Sequence, residues 1–80
     1  MSESLVINHQ LNAHGLLCPE PVMMLHKMVR QMQSGELLSV VATDPSTQRD
    51  IPKFCQFLGH ALVKAEVLES GEFYYIIQKK

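Results

Sequence analysis

The sequence predicts an α/β fold of the α+β kind: a two-layer sandwich in which a four-stranded mixed sheet carries two helices on one face, in the order β-α-β-α-β-β. Three observations predict it. Segments whose apolar residues recur every second position alternate with segments of helical period. Each helical segment follows a proline-bearing turn and runs up to a glycine. The last two strand segments are separated only by Glu69-Ser70-Gly71-Glu72, which closes a hairpin. Eighty residues make one domain, 1–80. A chain of this size buries only about 60% of its unfolded surface, so its core is thin and a deep substrate pocket is not expected.

The elements follow in order. Over residues 5–12, Leu5, Ile7, His9 and Leu11 share one parity and Asn8, Gln10 and Asn12 the other, as in a half-buried strand. His14-Gly15 breaks that pattern. Pro19 reads as the first residue of a helix ending near Gln33-Ser34-Gly35, because a first-turn proline lacks only an N–H that has no intrahelical partner. Val22, Leu25, Val29 and Met32 form its buried face. Leu37 to Thr43 is a short, mostly apolar strand buried on both faces. Asp44-Pro45 opens the second helical segment, and Pro52 predicts its division into a first turn at 45–49 and a main helix at 51–58. Ile51, Phe54, Cys55 and Leu58 have the spacing of a core stripe, stopped by Gly59. Ala61, Val63, Ala65 and Val67 alternate with Lys64 and Glu66 in a third strand, and Phe73 to Gln78 form the fourth.

Composition narrows the function. A net charge of -1 and a pI of about 6.4 lack the basic field of nucleic-acid binders, so no direct nucleic-acid partner is expected. RNA binding is otherwise supported only by analogy with other sandwiches of this order. Met1-Ser2-Glu3-Ser4-Leu5-Val6 has neither a basic region nor a long apolar run, and no segment reaches the roughly 18 apolar residues of a membrane span. The expectation is a cytoplasmic protein, a monomer, with no membrane partner. There Cys18 and Cys55 are free thiols.

The two cysteines differ. Cys55 lies in the apolar stripe and reads as core, the alternative being a resolving thiol for Cys18. Cys18 stands before Pro19, at the predicted N-cap, where a thiolate accepts the free helical N–H groups and meets the positive end of the dipole. Such settings lower a cysteine's pKa and make it a nucleophile. The alternative is a poor cap packed behind Leu16 and Leu17. Pro21 stands where a dithiol oxidoreductase needs its second cysteine. Pro19 and Pro21 remove two N–H groups from any oxyanion-binding loop, and the next arginine is Arg30. What remains is a thiol that accepts a group and passes it on.

The run Leu11-Asn12-Ala13-His14-Gly15-Leu16-Leu17-Cys18-Pro19-Glu20-Pro21 resembles the signature of the TusA (SirA-like) sulfur-carrier family, built on a Cys-Pro-x-Pro motif. The resemblance continues through Asp44-Pro45-Ser46-Thr47-Gln48-Arg49-Asp50-Ile51-Pro52 and Phe54-Cys55, nearly the whole chain. It implies that Cys18 takes sulfane sulfur from an IscS-like cysteine desulfurase and holds it as a persulfide. The sulfur then passes to a TusBCD-type relay complex for 2-thiolation of the tRNA wobble uridine. It also implies a carrier with a covalent persulfide intermediate in place of a stand-alone turnover enzyme, no cofactor, and Gly15, Pro19, Glu20 and Pro21 as supporting motif residues. Many members have aspartate at the position of Asn12 and a polar residue, often arginine, at that of Leu17. The other reading is an interaction or regulatory module without sulfur transfer.

Further residues have two readings each. Met23, Lys27 and Arg30 share a helix face away from the core stripe, either a solvated face or a docking surface. Phe57 falls off the core stripe, as a partner contact or half-buried packing. Asp44 reads as a helix cap, with Arg49 and Asp50 as local pairing residues, and Asp44 and Arg49 join the candidate partner surface. Glu20 suits the helix dipole but opposes a thiolate beside it. His9, His14 and Cys18 have no strong zinc spacing and supply three ligands only, so no metal is expected.

Overall fold

A computed structural model of the chain describes residues 6–80. Six elements follow in the predicted order: β1 His9–Ala13, α1 Glu20–Gln31, β2 Leu37–Ala42, α2 Thr47–Leu58, β3 Ala61–Val67 and β4 Phe73–Gln78. The strands form one sheet ordered β1-β2-β4-β3. β1 pairs parallel with β2, as the intervening α1 requires, and the other two pairings are antiparallel.

The pleat explains the core. Alternate residues of the inner strands, Leu38, Val40 and Ala42 with Phe73, Tyr75 and Ile77, are buried together with Leu11 and Ala13 of β1. Against them α1 sets Leu25, Val29 and the following Met32, and α2 sets Ile51, Phe54 and Cys55. The start of α2 is pinned to the sheet by a buried pair. Thr47 Oγ1 donates to Asp44 O at 2.8 Å and lies 2.9 Å from the Tyr75 hydroxyl, which leaves Tyr75 as the donor to Thr47.

Several expected boundaries and faces shift, each for a physical reason. β1 begins at His9, four residues later than expected, because its partner β2 begins at Leu37 and the Leu37 N–H is taken by Asn8 Oδ1 at 2.8 Å. Leu5, part of the expected strand, lies outside the described residues. α1 stops at Gln31, ahead of Gly35, with Met32 already extended. Lys79 Nζ, from beyond β4, satisfies the free carbonyls of Val29 and Met32 at 2.7 Å each.

α2 is one continuous helix with Pro52 inside it, in place of the expected turn and separate helix. So near the N-terminus the proline removes a single i→i−4 bond, which the burial of Ile51, Phe54 and Cys55 outweighs. Gly59 ends α2 in the left-handed region as expected. Leu58 leaves the core stripe and is 39% exposed. The alternating apolar row of β3 is exposed as well. β3 is an edge strand, the register shifts between Leu62 and Lys64, and Val63 and Val67 face solvent while Leu62 packs inward.

These assignments set an order of stability costs. Leu25→Ala, in a fully buried position, lowers unfolding free energy by about 2–5 kcal/mol. Leu58→Ala lowers it by less than about 1 kcal/mol. Urea denaturation of both variants checks the contrast, and equal losses would return Leu58 to the core.

Candidate functional site

The connection from β1 to α1 carries Cys18 to the surface. Gly15 has φ 82°, a left-handed torsion that favours glycine, and no neighbour lies where a Cβ would stand, so the demand is torsional and not steric. Its N–H donates to Thr43 Oγ1 at 2.9 Å, joining the loop to the end of β2. Leu16 N–H bonds Ala13 O and Glu20 N–H bonds Leu17 O, at 3.2 and 2.8 Å. The Cys18–Pro19 peptide bond is cis.

The helix begins one residue later than the sequence predicts. Pro19 is the N-cap and Cys18 precedes it, so the sulfur does not cap the helix. Pro21 occupies the second helical position, fully buried, where its missing N–H would have no partner. Glu20 supplies the acidic charge of the first turn.

Cys18 is held by α2 and the turn before it. Its N–H donates to Asp44 Oδ2 at 2.7 Å, while Asp44 Oδ1 accepts the Ser46 N–H at 3.0 Å. One carboxylate thereby clamps the approaches to both helices. The Ser46 N–H, then that of Cys18, hold Asp44 below its ordinary 3.8. The exposed Cys18 thiol donates to Asp50 Oδ2 at 3.4 Å, and Arg49 Nε grips Asp50 Oδ1 at 2.9 Å. That arginine bond is the main reason the Asp50 carboxyl sits below its ordinary value.

Beside the sulfur, α1 and α2 flank an open groove of about 820 Å³, lined by Pro19, Val22 and His26 from one side and Asp50, Phe54 and Phe57 from the other. Phe57 is 91% exposed, an apolar ring with no partner among the described residues. Val22, read from the sequence as core, is half-buried in this groove. Met23, Lys27 and Arg30 are exposed on the neighbouring row of α1 and do not line it. The structure therefore joins Phe57, Asp44 and Arg49 to the sulfur's surroundings and leaves the Met23 row adjacent. Asp50 reads from the sequence only as a local pairing residue and His26 has no role assigned there, since their place beside the sulfur depends on how two helices meet.

Cys55 is 2% exposed, and burial pushes its thiol up to about 11, so it stays protonated. The residues weighed for a metal go elsewhere: His9 pairs with Glu36 at 2.8 Å and His14 with Glu72 at 3.6 Å. No group of three or more His, Cys, Asp or Glu gathers to hold a metal among the described residues. No helix among them is long and apolar enough to cross a membrane.

Residues 9–79 match the family described as "Sulfurtransferase TusA". The "Sulfur carrier protein TusA" of Pseudomonas syringae pv. syringae (strain B728a) is 63% identical over 78 residues, 98% of this chain and 92% of that protein. The protein of the same description from Pseudomonas aeruginosa (strain LESB58) is 63% identical over 88% of this chain and 87% of its own. Among solved structures, a SirA-like protein from Desulfitobacterium hafniense superposes with a TM-score of 0.79, over 88% of this chain and 95% of that one. At 18% identity that likeness speaks for the fold.

Two outcomes follow from the geometry. Iodoacetamide at neutral pH adds one group to the native chain, at Cys18, and a second only after denaturation, as intact mass with peptide mapping reads. Asp44, depressed in the folded state, contributes stability that is present above about pH 4 and lost as pH falls through its folded value. On acidification the Cys18 and Ser46 amide proton resonances therefore move together, and Asp44→Ala abolishes the joint transition.

Proposed function

This chain belongs to the TusA family of sulfur carriers, and on that premise we propose that Cys18 is the residue that bears the sulfur. The observation that carries the reading is the contrast between its thiols. One is exposed on a loop tied down at both ends, beside an open groove, and the other is buried and kept protonated. Sulfur transfer between proteins requires a nucleophilic sulfur that a partner's sulfur can approach, and an acceptor that bulky side chains do not enclose.

In loading, the donor is a cysteine desulfurase of the IscS type whose own cysteine holds a persulfide, R–S–SH. Cys18 loses its proton and attacks the outer sulfur. A new S–S bond forms at Cys18, the donor's S–S bond breaks, and R–S⁻ leaves and takes up a proton. The products are Cys18–S–SH and R–SH, with no net oxidation. The same exchange in the other direction hands the sulfur to a TusBCD-type relay towards 2-thiolation of the tRNA wobble uridine. The chain serves as a carrier in the cytoplasm, returning to the thiol after each delivery.

Docking is read from the same surface. Phe57 and the groove offer an apolar anchor of the kind that dominates interface energies. Met23, Lys27 and Arg30 on the neighbouring row of α1, with Asp44 and Arg49 at the sulfur, add an adaptable thioether and charges that orient a partner.

Incubation with a cysteine desulfurase and cysteine, followed by intact mass, tests the reading. The wild-type chain gains one sulfur atom and Cys18→Ser gains none; equal gain by both sinks the assignment. Phe57→Ala lowers the loading rate at limiting protein roughly tenfold, the scale of one aromatic anchor. It leaves iodoacetamide labelling of Cys18 unchanged.

A further inference from the structure

We propose that Asp50 is a positioning residue for the transfer: its carboxylate, braced by Arg49, holds the unloaded Cys18 thiol through the S–H and releases the sulfur once it carries negative charge. The inference rests on the reading of Cys18 as the sulfur-bearing residue. Its geometry is a chain of two bonds, Cys18 Sγ to Asp50 Oδ2 at 3.4 Å and Asp50 Oδ1 to Arg49 Nε at 2.9 Å. Asp50 comes from α2, while Cys18 lies 32 positions away before α1, so the contact is made only by packing.

A protonated thiol donates, weakly, to a carboxylate. A thiolate or a persulfide anion has no proton to donate and would face a like charge across the same gap, in a place only partly shielded by solvent. Thus the contact that orients the empty sulfur cannot persist once the proton has left. Asp50 is itself too poor a base to keep that proton, since the Arg49 bond favours its charged form. The proton therefore passes on to the leaving R–S⁻ of the donor, and the atoms balance as in the loading step above. The charged groups around this pair are Arg49 and Lys53 of α2 at Asp50, Arg49 also at Cys18, with Asp44 ahead of α2 and Glu20, two positions on in the sequence, as the acidic neighbours of the sulfur. The latch thereby separates the empty carrier, with its sulfur seated against α2, from the charged one, with its sulfur turned out towards a partner.

The test is the pH dependence of iodoacetamide alkylation at Cys18 in the full chain, with Cys55 as the buried internal control. Asp50→Asn keeps the shape and removes the charge. Its profile is expected at lower pH than wild type, with alkylation about three- to tenfold faster at neutral pH, the scale of a partly screened single charge. Asp50→Glu restores the charge and returns the profile towards wild type, whereas a merely structural role would shift both variants alike. An Asp50→Asn profile that coincides with wild type, or equal shifts in both variants, overturns the proposal. Desulfurase loading separates the two levels: a wild-type chain that gains no sulfur overturns the carrier reading of Cys18. An unmoved Asp50→Asn profile with loading intact overturns Asp50 alone.

Discussion

Everything at the sulfur depends on one carboxylate. Asp44 accepts the Ser46 N–H with one oxygen and the Cys18 N–H with the other. The first bond shapes the turn into α2, and the second fixes the loop that leads into α1. Because Asp44 lies only two residues beyond β2, both helix starts are tied to the end of a buried inner strand. Two backbone donors converging on one group favour its charged form, and the charged form in turn holds both donors.

The clamp also fixes an exposed thiol on the surface of a thin two-layer fold. Tying the loop to α2 brings Cys18 within reach of Asp50 and sets it at the head of the groove between the helices. The groove lies where α1 and α2 press their apolar stripes onto the sheet, its lining shared between both helices. Phe57, off the stripe of α2, then has no intramolecular surface to cover it. An exposed aromatic ring in the groove and an exposed, tethered thiol beside it therefore lie on one side of the sheet.

The two cysteines show how position decides chemistry for one residue type. Cys55 sits among Ile51 and Phe54 with no group to stabilise a charge, so burial keeps its proton on. Cys18 is exposed, its N–H held by the Asp44 carboxylate and its thiol donating to Asp50, which Arg49 braces. A single fold thus buries one thiol and leaves the other exposed.

Alternation and helical periodicity by themselves determined the element order, the hairpin at Gly71, the stop at Gly59 and the core faces of Leu25, Val29, Ile51 and Phe54, because those signals are local. The Cys-Pro-Glu-Pro run likewise marked Cys18 as the thiol in question. Position in the fold decided the rest. Pro52 stays inside α2 because its neighbours are buried, a gain that propensity does not register. Val63 and Val67 are exposed on β3, whose place in the sheet and register shift alternation does not encode. The expected N-cap role of Cys18 gave way to bonds with Asp44 and Asp50, 26 and 32 positions away, and no local pattern encodes a contact across that separation.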